Sequence, residues 1–407
     1  MDTKKRLLEE LEKIDVAKLT SDMIKIQSYS FMEQQEREIA HYIDDYFKAQ
    51  GIESEAIEIG EGRYNVVAKL PGKNPDKARS LMLSGHMDTV PAYDFEDAFS
   101  GRIENGWVFG RGACDMKGPL AAMMAAMTAL KNAGIELDGD LYFTGVADEE
   151  EQGKGVKYLI KHGPYTDAAI VGEPSEMEID LGNKGLEWIE VKIEGKKVHG
   201  GDYKNGINAI QMASRFINRI CDEYVPVLES REHPILGVPT INIGKIEGGD
   251  QPSTVPGECT IKLDRRCVPG ETIAQVYGEL EEIAAKLHEE DPRFKATIRD
   301  MFEGANDMPH LPYVTEPTDP LVLSVKKAMC AESEVRRGKV IDEDGITLTV
   351  CPAWTDAGFL SSETDITCIV FGPGEVGVAH SVHERIEIEA MNRAAYIYAV
   401  TAMNYCV

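Results

Sequence analysis

Four apolar runs in this chain each lead to a residue that can bind a metal: those at 80–85, 140–147 and 168–172 directly, and that at 366–372 a few residues later. The first leads to His86 and Asp88, the second to Asp148, Glu149 and Glu150, the third to Glu173, and the fourth to His380. Runs this short, bounded by turn residues, predict buried strands. Between them "GRGACDMKGPLAAMMAAMTALKNAG" passes from a Gly-rich loop into a helix, with Pro119 in its first turn and Gly134 past its end. Strands alternating with helices imply an α/β domain with a mainly parallel central sheet flanked by helices. In such a sheet ligands bind beyond the carboxyl ends of the strands, so His86 and His380 can meet although the chain separates them widely.

The pattern changes near residue 186. "LEWIEVKIEG" alternates apolar and polar residues, as a half-exposed strand does. A helix over about 207–222, strands "TINIGKIEGG" and "GECTIKLDRRC", and a helix over about 271–289 complete an α+β segment with antiparallel pairing. "GANDMPHLPYVTEPTDP" reads as a Pro-rich linker. The α/β character returns with a helix over 319–332, the strand "TCIVFGPG" and a terminal helix from about 387. The chain therefore reads as a catalytic domain, 1–185 and 301–407, interrupted by a smaller β-α-β-β-α-β-like domain at 186–300. Residues 1–50 read as largely helical. The first of these helices places Leu7, Leu8, Leu11 and Ile14 on one face, and the charge throughout it does not suit a secretory leader.

Composition removes several partners. With 43% hydrophobic and 28% charged residues, the 407-residue chain has the make-up of a soluble globular protein. A net charge of -27, without a Lys/Arg cluster, argues against nucleic acid and anionic membrane. No uninterrupted apolar stretch reaches the ~18 residues of a membrane span. The 8 cysteines include no C-x-x-C pair, which points to reduced thiols and a cytoplasmic protein.

His86, Asp115, Glu150, Glu173 and His380 together offer imidazoles and carboxylates. That donor set suits Zn²⁺, Co²⁺ or Mn²⁺ better than Ca²⁺, which prefers oxygen alone. Asp88, two residues past His86, is placed to accept a hydrogen bond from the imidazole and fix its tautomer. With one carboxylate bridging, two metals can share a hydroxide and polarise a carbonyl.

The ordered motifs "SGHMDTVP", "GRGACDMKGPLAA", "ADEEEQGKG", "VGEPS", "KVHGGDYKNGINAI", "DRRCVPGE", "TDAGFL" and "GPGEVGVAHSVHE" resemble the M20 metallopeptidases, a family that includes deacylases. The resemblance implies two divalent metal ions, most readily Zn. His86, Asp115 and Glu173 would hold one; Asp115, Glu150 and His380 would hold the other. It implies that Glu149 is the general base and that His199, on the inserted lid and dimerisation domain, stabilises the oxyanion in the partner's site of a homodimer. Arg266 matches the clamp on the substrate α-carboxylate, a planar fork suited to bidentate binding; near the end of their strand, Arg265 and Arg266 alternatively read as solvated edge residues. Thr355 and Gly358 match pocket-lining positions. Within "ADEEEQ", Asp148 is left to support the turn and Glu151 to face solvent.

The chain departs from the family pattern at Ser253, where relatives often have Asn, and at Trp354, where many have Gly. The resemblance implies a two-metal amidohydrolase acting on an N-acyl amino acid. The alternatives are a dipeptidase or carboxypeptidase of the same family and a catalytically silent homologue that binds a small ligand.

Overall fold

The computed structural model describes residues 3–301 and 308–407. The chain forms two compact units. The first comprises Met1–Gly182, Thr315–Cys351 and Thr355–Val407; the second comprises Asn183–Val314 and Pro352–Trp354.

The main sheet of the first unit contains β1 (Glu53–Gly60), β2 (Arg63–Leu70), β3 (Leu81–His86), β4 (Leu141–Val146), β5 (Ala168–Val171), β6 (Ile179–Asn183), β7 (Leu348–Cys351) and β8 (Thr367–Val370). Their spatial order is β1-β2-β4-β3-β5-β8-β6, with β7 beside β6. The hairpin β1–β2 turns on Glu61 and Gly62, both at positive φ (54° and 73°), the handedness a tight hairpin requires. The four strands at the centre, β4, β3, β5 and β8, run parallel. They are the four apolar runs, now side by side. Because they run parallel, their carboxyl ends share one edge, and the residues after them open onto the same space.

The helix Gly118–Asn132 is buried from Gly118 to Leu130. Its Met/Ala stripe packs against the helices Val16–Lys25 and Ile388–Tyr405. At the end of β8 the chain comes close to the end of β5. A Cβ on Gly372 would stand 2.3 Å from the carbonyl oxygen of Gly172 and 2.5 Å from that of Glu173, so only glycine fits. A small sheet of Arg102–Glu104, Trp107–Phe109 and Arg385–Glu387 ties the segment after His380 to the loop before Asp115.

The first helix is shorter than its sequence pattern. It ends at Leu11, and a second begins at Val16, because the Asp15 carboxylate accepts the Lys18 N–H (2.9 Å) and starts a new helix. Leu7 and Leu11 are buried in the first helix, while Ile14 lies in the connection.

The second unit is a four-stranded antiparallel sheet ordered Thr240–Gly248, Glu258–Cys267, Gly185–Glu194, Lys295–Asp300. The helices Ala209–Arg219 and Ile273–Glu290 pack on it, giving β-α-β-β-α-β in chain order. Strand alternation sends Ile189, Val191, Ile193, Ile261 and Leu263 into a core with Phe216, Leu280 and Phe294. Of the Pro-rich stretch 304–320, residues 304–307 lie outside the described residues, and Tyr313–Val314 is a short strand.

Candidate metal centre

His86 is the last residue of β3, and its ring is buried. Its Nδ1 lies 3.0 Å from the carbonyl oxygen of Asp88. A carbonyl only accepts, so Nδ1 carries the hydrogen and, in the neutral ring, Nε2 keeps the lone pair. That Nε2 faces Asp115 Oδ1 at 2.9 Å and Glu173 Oε1 at 3.6 Å. The other oxygen of Asp115, Oδ2, faces His380 Nε2 at 3.1 Å, and the same nitrogen is 3.1 Å from Glu150 Oε1. Asp115 thus has one oxygen turned toward each histidine, the disposition a bridging carboxylate needs.

The Asp88 carboxylate does a different job from the one its spacing suggested. It stands 3.6 Å from His86 Nδ1, and the main-chain carbonyl takes the imidazole proton. Oδ1 and Oδ2 instead accept the backbone N–H groups of Glu149 (3.2 Å) and Glu150 (3.1 Å). The loop after β4 is thereby fastened to the loop after β3.

The run of acids at 148–151 separates physically. Asp148 has a positive φ of 69°, and its carbonyl accepts the N–H of Gly153 (2.6 Å) and of Gln152 (3.1 Å). Its carboxylate is buried against Arg63 (2.8 Å), which also pairs with buried Glu36. Glu149 and Glu150 are partly buried and Glu151 is exposed.

Two overlapping groups place their ligand atoms within 4.8 Å of one another: His86, Glu149 and Glu173; and His86, Asp115 and Glu150. Crowding and burial shift these acids in opposite directions. Burial, then the charge of Glu173, push the Glu149 carboxyl well above the usual range. Burial also raises Glu173, to about 7. Burial acts upward on Asp115 too, but hydrogen bonds from His380 and His86 outweigh it and hold that carboxyl below the usual range. Hydrogen bonds to Asp115 and Glu150 lift His380 to about 10.

These residues fit a divalent cation. Among the described residues nothing donates a hydrogen bond to buried Glu173 Oε1. A buried acceptor without a donor costs about 1–3 kcal/mol, and more when charged. A cation held among Glu173, His86 and Asp115 would satisfy that oxygen and offset the repulsion between the carboxylates.

Thr355 immediately precedes the helix Asp356–Glu363, is buried, and makes no side-chain capping bond; Gly358, also buried, donates its N–H to the Thr355 carbonyl (2.9 Å). His383 is exposed, whereas the Cys114 thiol is buried and donates to the Glu375 carbonyl (3.3 Å). His199 and Arg266 belong to the second unit. His199 ends the short strand Val198–His199, and its Nδ1 accepts the Gly201 N–H (3.1 Å). Beside it the Ser253 carbonyl accepts the Gly200 N–H (2.7 Å). Arg266 pairs with Asp264 (2.7 Å) on the half-exposed face of its strand. Arg265 is not a solvated edge residue: alternation turns it inward, where it is buried against Glu271 (2.5 Å). Trp354 packs edge-on against His310 at 4.9 Å.

Two residues beside the centre escaped the sequence reading. Asp356 is buried within "TDAGFL", one of its oxygens has no hydrogen-bond partner among the described residues, and burial raises its pKa well above the usual range. Glu384 is wholly buried and accepts three backbone N–H groups of the loop carrying Asp115. Its position in "AHSVHE" was the available signal, but spacing does not say what a carboxylate will hold.

Residues 82–404 match the model of Peptidase family M20/M25/M40. The chain is 29% identical to the N-formyl-4-amino-5-aminomethyl-2-methylpyrimidine deformylase of Bacillus subtilis (strain 168), over 98% of this chain and 96% of that protein. It is 31% identical to the acetylornithine deacetylase of Myxococcus xanthus, over 86% of each. Its fold is similar to that of the aminopeptidase PepT of Bacillus cereus ATCC 10987, with a TM-score of 0.75, 21% identity and 99% of both chains covered.

Proposed function

The chain belongs to the M20/M25/M40 peptidase family, and from that premise we propose that it is a two-metal amidohydrolase that splits an N-acyl amino acid into a carboxylate and a free amine. The observation that carries this reading is the Asp115 carboxylate, with one oxygen on His86 and the other on His380.

In this reading His86, Asp115 and Glu173 hold one divalent cation, and Asp115, Glu150 and His380 hold the second. Zinc is the first choice for such nitrogen and oxygen donors, with cobalt or manganese able to replace it. The cations, when bound, make a water more acidic and polarise the amide carbonyl. Glu149 takes the proton from the attacking water and returns it to the departing nitrogen. Asp88 keeps Glu149 and Glu150 in place through their backbone N–H groups. Arg266 offers a planar fork for the substrate carboxylate, and Thr355 and Gly358 line the pocket. His199 supplies the oxyanion donor to the partner's site, which requires a homodimer.

A deacylase is favoured because the sequence relatives above, matched over most of their length, are named a deformylase and a deacetylase. Peptidase action is the second reading, since a dipeptide is itself an N-acyl amino acid and the chain shares its fold with an aminopeptidase. All eight thiols are free, which suits a reducing cytoplasm. Among the described residues no helix is long and apolar enough to cross a membrane.

The test is a screen of N-formyl, N-acetyl and N-succinyl amino acids against dipeptides, with Zn²⁺, Co²⁺ and Mn²⁺ supplied separately. Turnover of an N-acyl amino acid well above that of any dipeptide is the expected result. Preference for dipeptides moves the assignment to peptidase, and no metal-dependent hydrolysis of either class overturns it.

A further inference from the structure

Outside the ligand residues, one buried ion pair joins the loops of the metal centre. Arg111 and Glu384 have side chains only 1% and 0% exposed and lie far apart in the chain. Arg111 NH1 donates to Glu384 Oε2. Glu384 Oε1 accepts the N–H groups of Gly112 (2.9 Å), Cys114 (3.3 Å) and Asp115 (3.3 Å). Three more guanidinium donors go to main-chain carbonyls: Nε to Pro91 (3.2 Å), NH2 to His380 (3.2 Å) and NH1 to Ser381 (3.4 Å).

Each contact falls on a loop that carries part of the centre. Pro91 follows His86 and Asp88, the N–H groups belong to the turn that presents Asp115, and the carbonyls belong to His380 and its neighbour. A buried ion pair contributes little net stability in itself, because desolvation offsets the attraction. This pair has instead the geometry of a support, and a rigid fork can serve several loops at once in a way a flexible ammonium cannot. His86 and Glu173 need it less, since His86 ends one central strand and Glu173 lies two residues past the end of another. Asp115 and His380 sit on irregular backbone: Asp115 has φ −125° and ψ 93° inside a broken turn, and His380 has φ 60°.

We propose that the Arg111–Glu384 pair is a positioning device that sets Asp115 and His380 at the spacing needed for the second of two cations. The inference rests on the two-metal reading above. Support residues of this kind change metal affinity by about 10–100-fold when altered.

The experiment titrates the metal-free, full-length chain with Zn²⁺ by calorimetry, for the parent, Glu384→Gln and Arg111→Lys. Circular dichroism confirms the fold of each. Glu384→Gln keeps one carbonyl acceptor but loses the charge, and Arg111→Lys keeps the charge but loses the fork. The parent is expected to bind two equivalents. In the variants the ratio of the two dissociation constants should change at least about ten-fold, because the site of Asp115, Glu150 and His380 depends on both braced residues and the other on Asp115 alone. If Glu384→Gln does not fold, the milder Arg111→Lys decides. Two equivalents with an unchanged ratio in a folded variant overturns this inference alone. Fewer than two in the parent overturns the two-metal reading on which it stands.

Discussion

The Asp88 carboxylate accepts the backbone N–H of Glu149 at 3.2 Å, joining the loop beyond one central strand to the loop beyond its neighbour. Its other oxygen takes the Glu150 N–H, and the residue is fully buried. Asp88→Ala therefore strands two N–H groups and frees the segment that carries the proposed base. We expect kcat to fall about 10–100-fold, with a lower melting temperature. Steady-state kinetics beside metal analysis checks this. Full activity in the Ala variant would show that the loops do not need the link.

Glu149→Gln removes a proton acceptor while keeping size and backbone. General base catalysis is worth about 100–10,000-fold, so kcat should drop by that order. Because the proposed ligand sets omit Glu149, the variant should still bind two equivalents of Zn²⁺. Wild-type turnover in Glu149→Gln, or loss of one equivalent, would each reassign the residue, the second making it a ligand. The short separation of Glu149 from His86 and Glu173 makes that second outcome a real alternative.

Asp180, on β6, offers a pH test away from the metal centre. Burial, then the charge of Glu178, push its carboxyl up to about 7 in the folded chain. In the unfolded chain it titrates near about 4. Between these values the folded state holds the extra proton, so its contribution to stability falls as pH rises from about 4 to 7 and is flat above. Asp180→Asn never ionises. Thermal melts should show the variant gaining on the parent between pH 4.5 and 8; a gain that is the same at both ends would dissociate Asp180 from the trend.

That the side chains of the metal centre would meet was legible because their residue types follow buried strands, and parallel strands leave their ends together. His86, Glu150 and Glu173 needed only that rule. The change of character near residue 186 was legible in the period, since an alternating strand such as Gly185–Glu194 differs from a uniformly apolar one such as β3. The extent of the second unit to Val314 and its return at Pro352–Trp354 had no such signal. What stayed hidden was the target of each supporting carboxylate. Asp88 looks toward His86 by spacing, yet its oxygens reach backbone across the sheet. Arg111 and Glu384 meet through a contact that no local pattern encodes. The break between the first two helices had a local cause, the Asp15 cap, which the hydrophobic stripe through Ile14 masked.

His199 supports the most decisive prediction about assembly. It is exposed in the second unit, and its Nδ1 accepts the Gly201 N–H, which leaves Nε2 available as a donor. If Nε2 stabilises an oxyanion, His199→Ala should cut kcat about 100–1,000-fold with little change in metal content. Serving the partner's site makes a stronger claim than that. A Glu149→Gln chain lacks its own base but carries an intact His199, whereas a His199→Ala chain has an intact base and lacks the donor. Unfolding and refolding an equal mixture would form hybrids in which one site has both groups. Random pairing in a two-fold dimer then restores about a quarter of parental activity. Homogeneous preparations of either variant, treated alike, should stay at that variant's own residual activity. An inactive mixture that sediments as dimers would place His199 in service to its own chain, and sedimentation as monomers would remove the dimer from the mechanism.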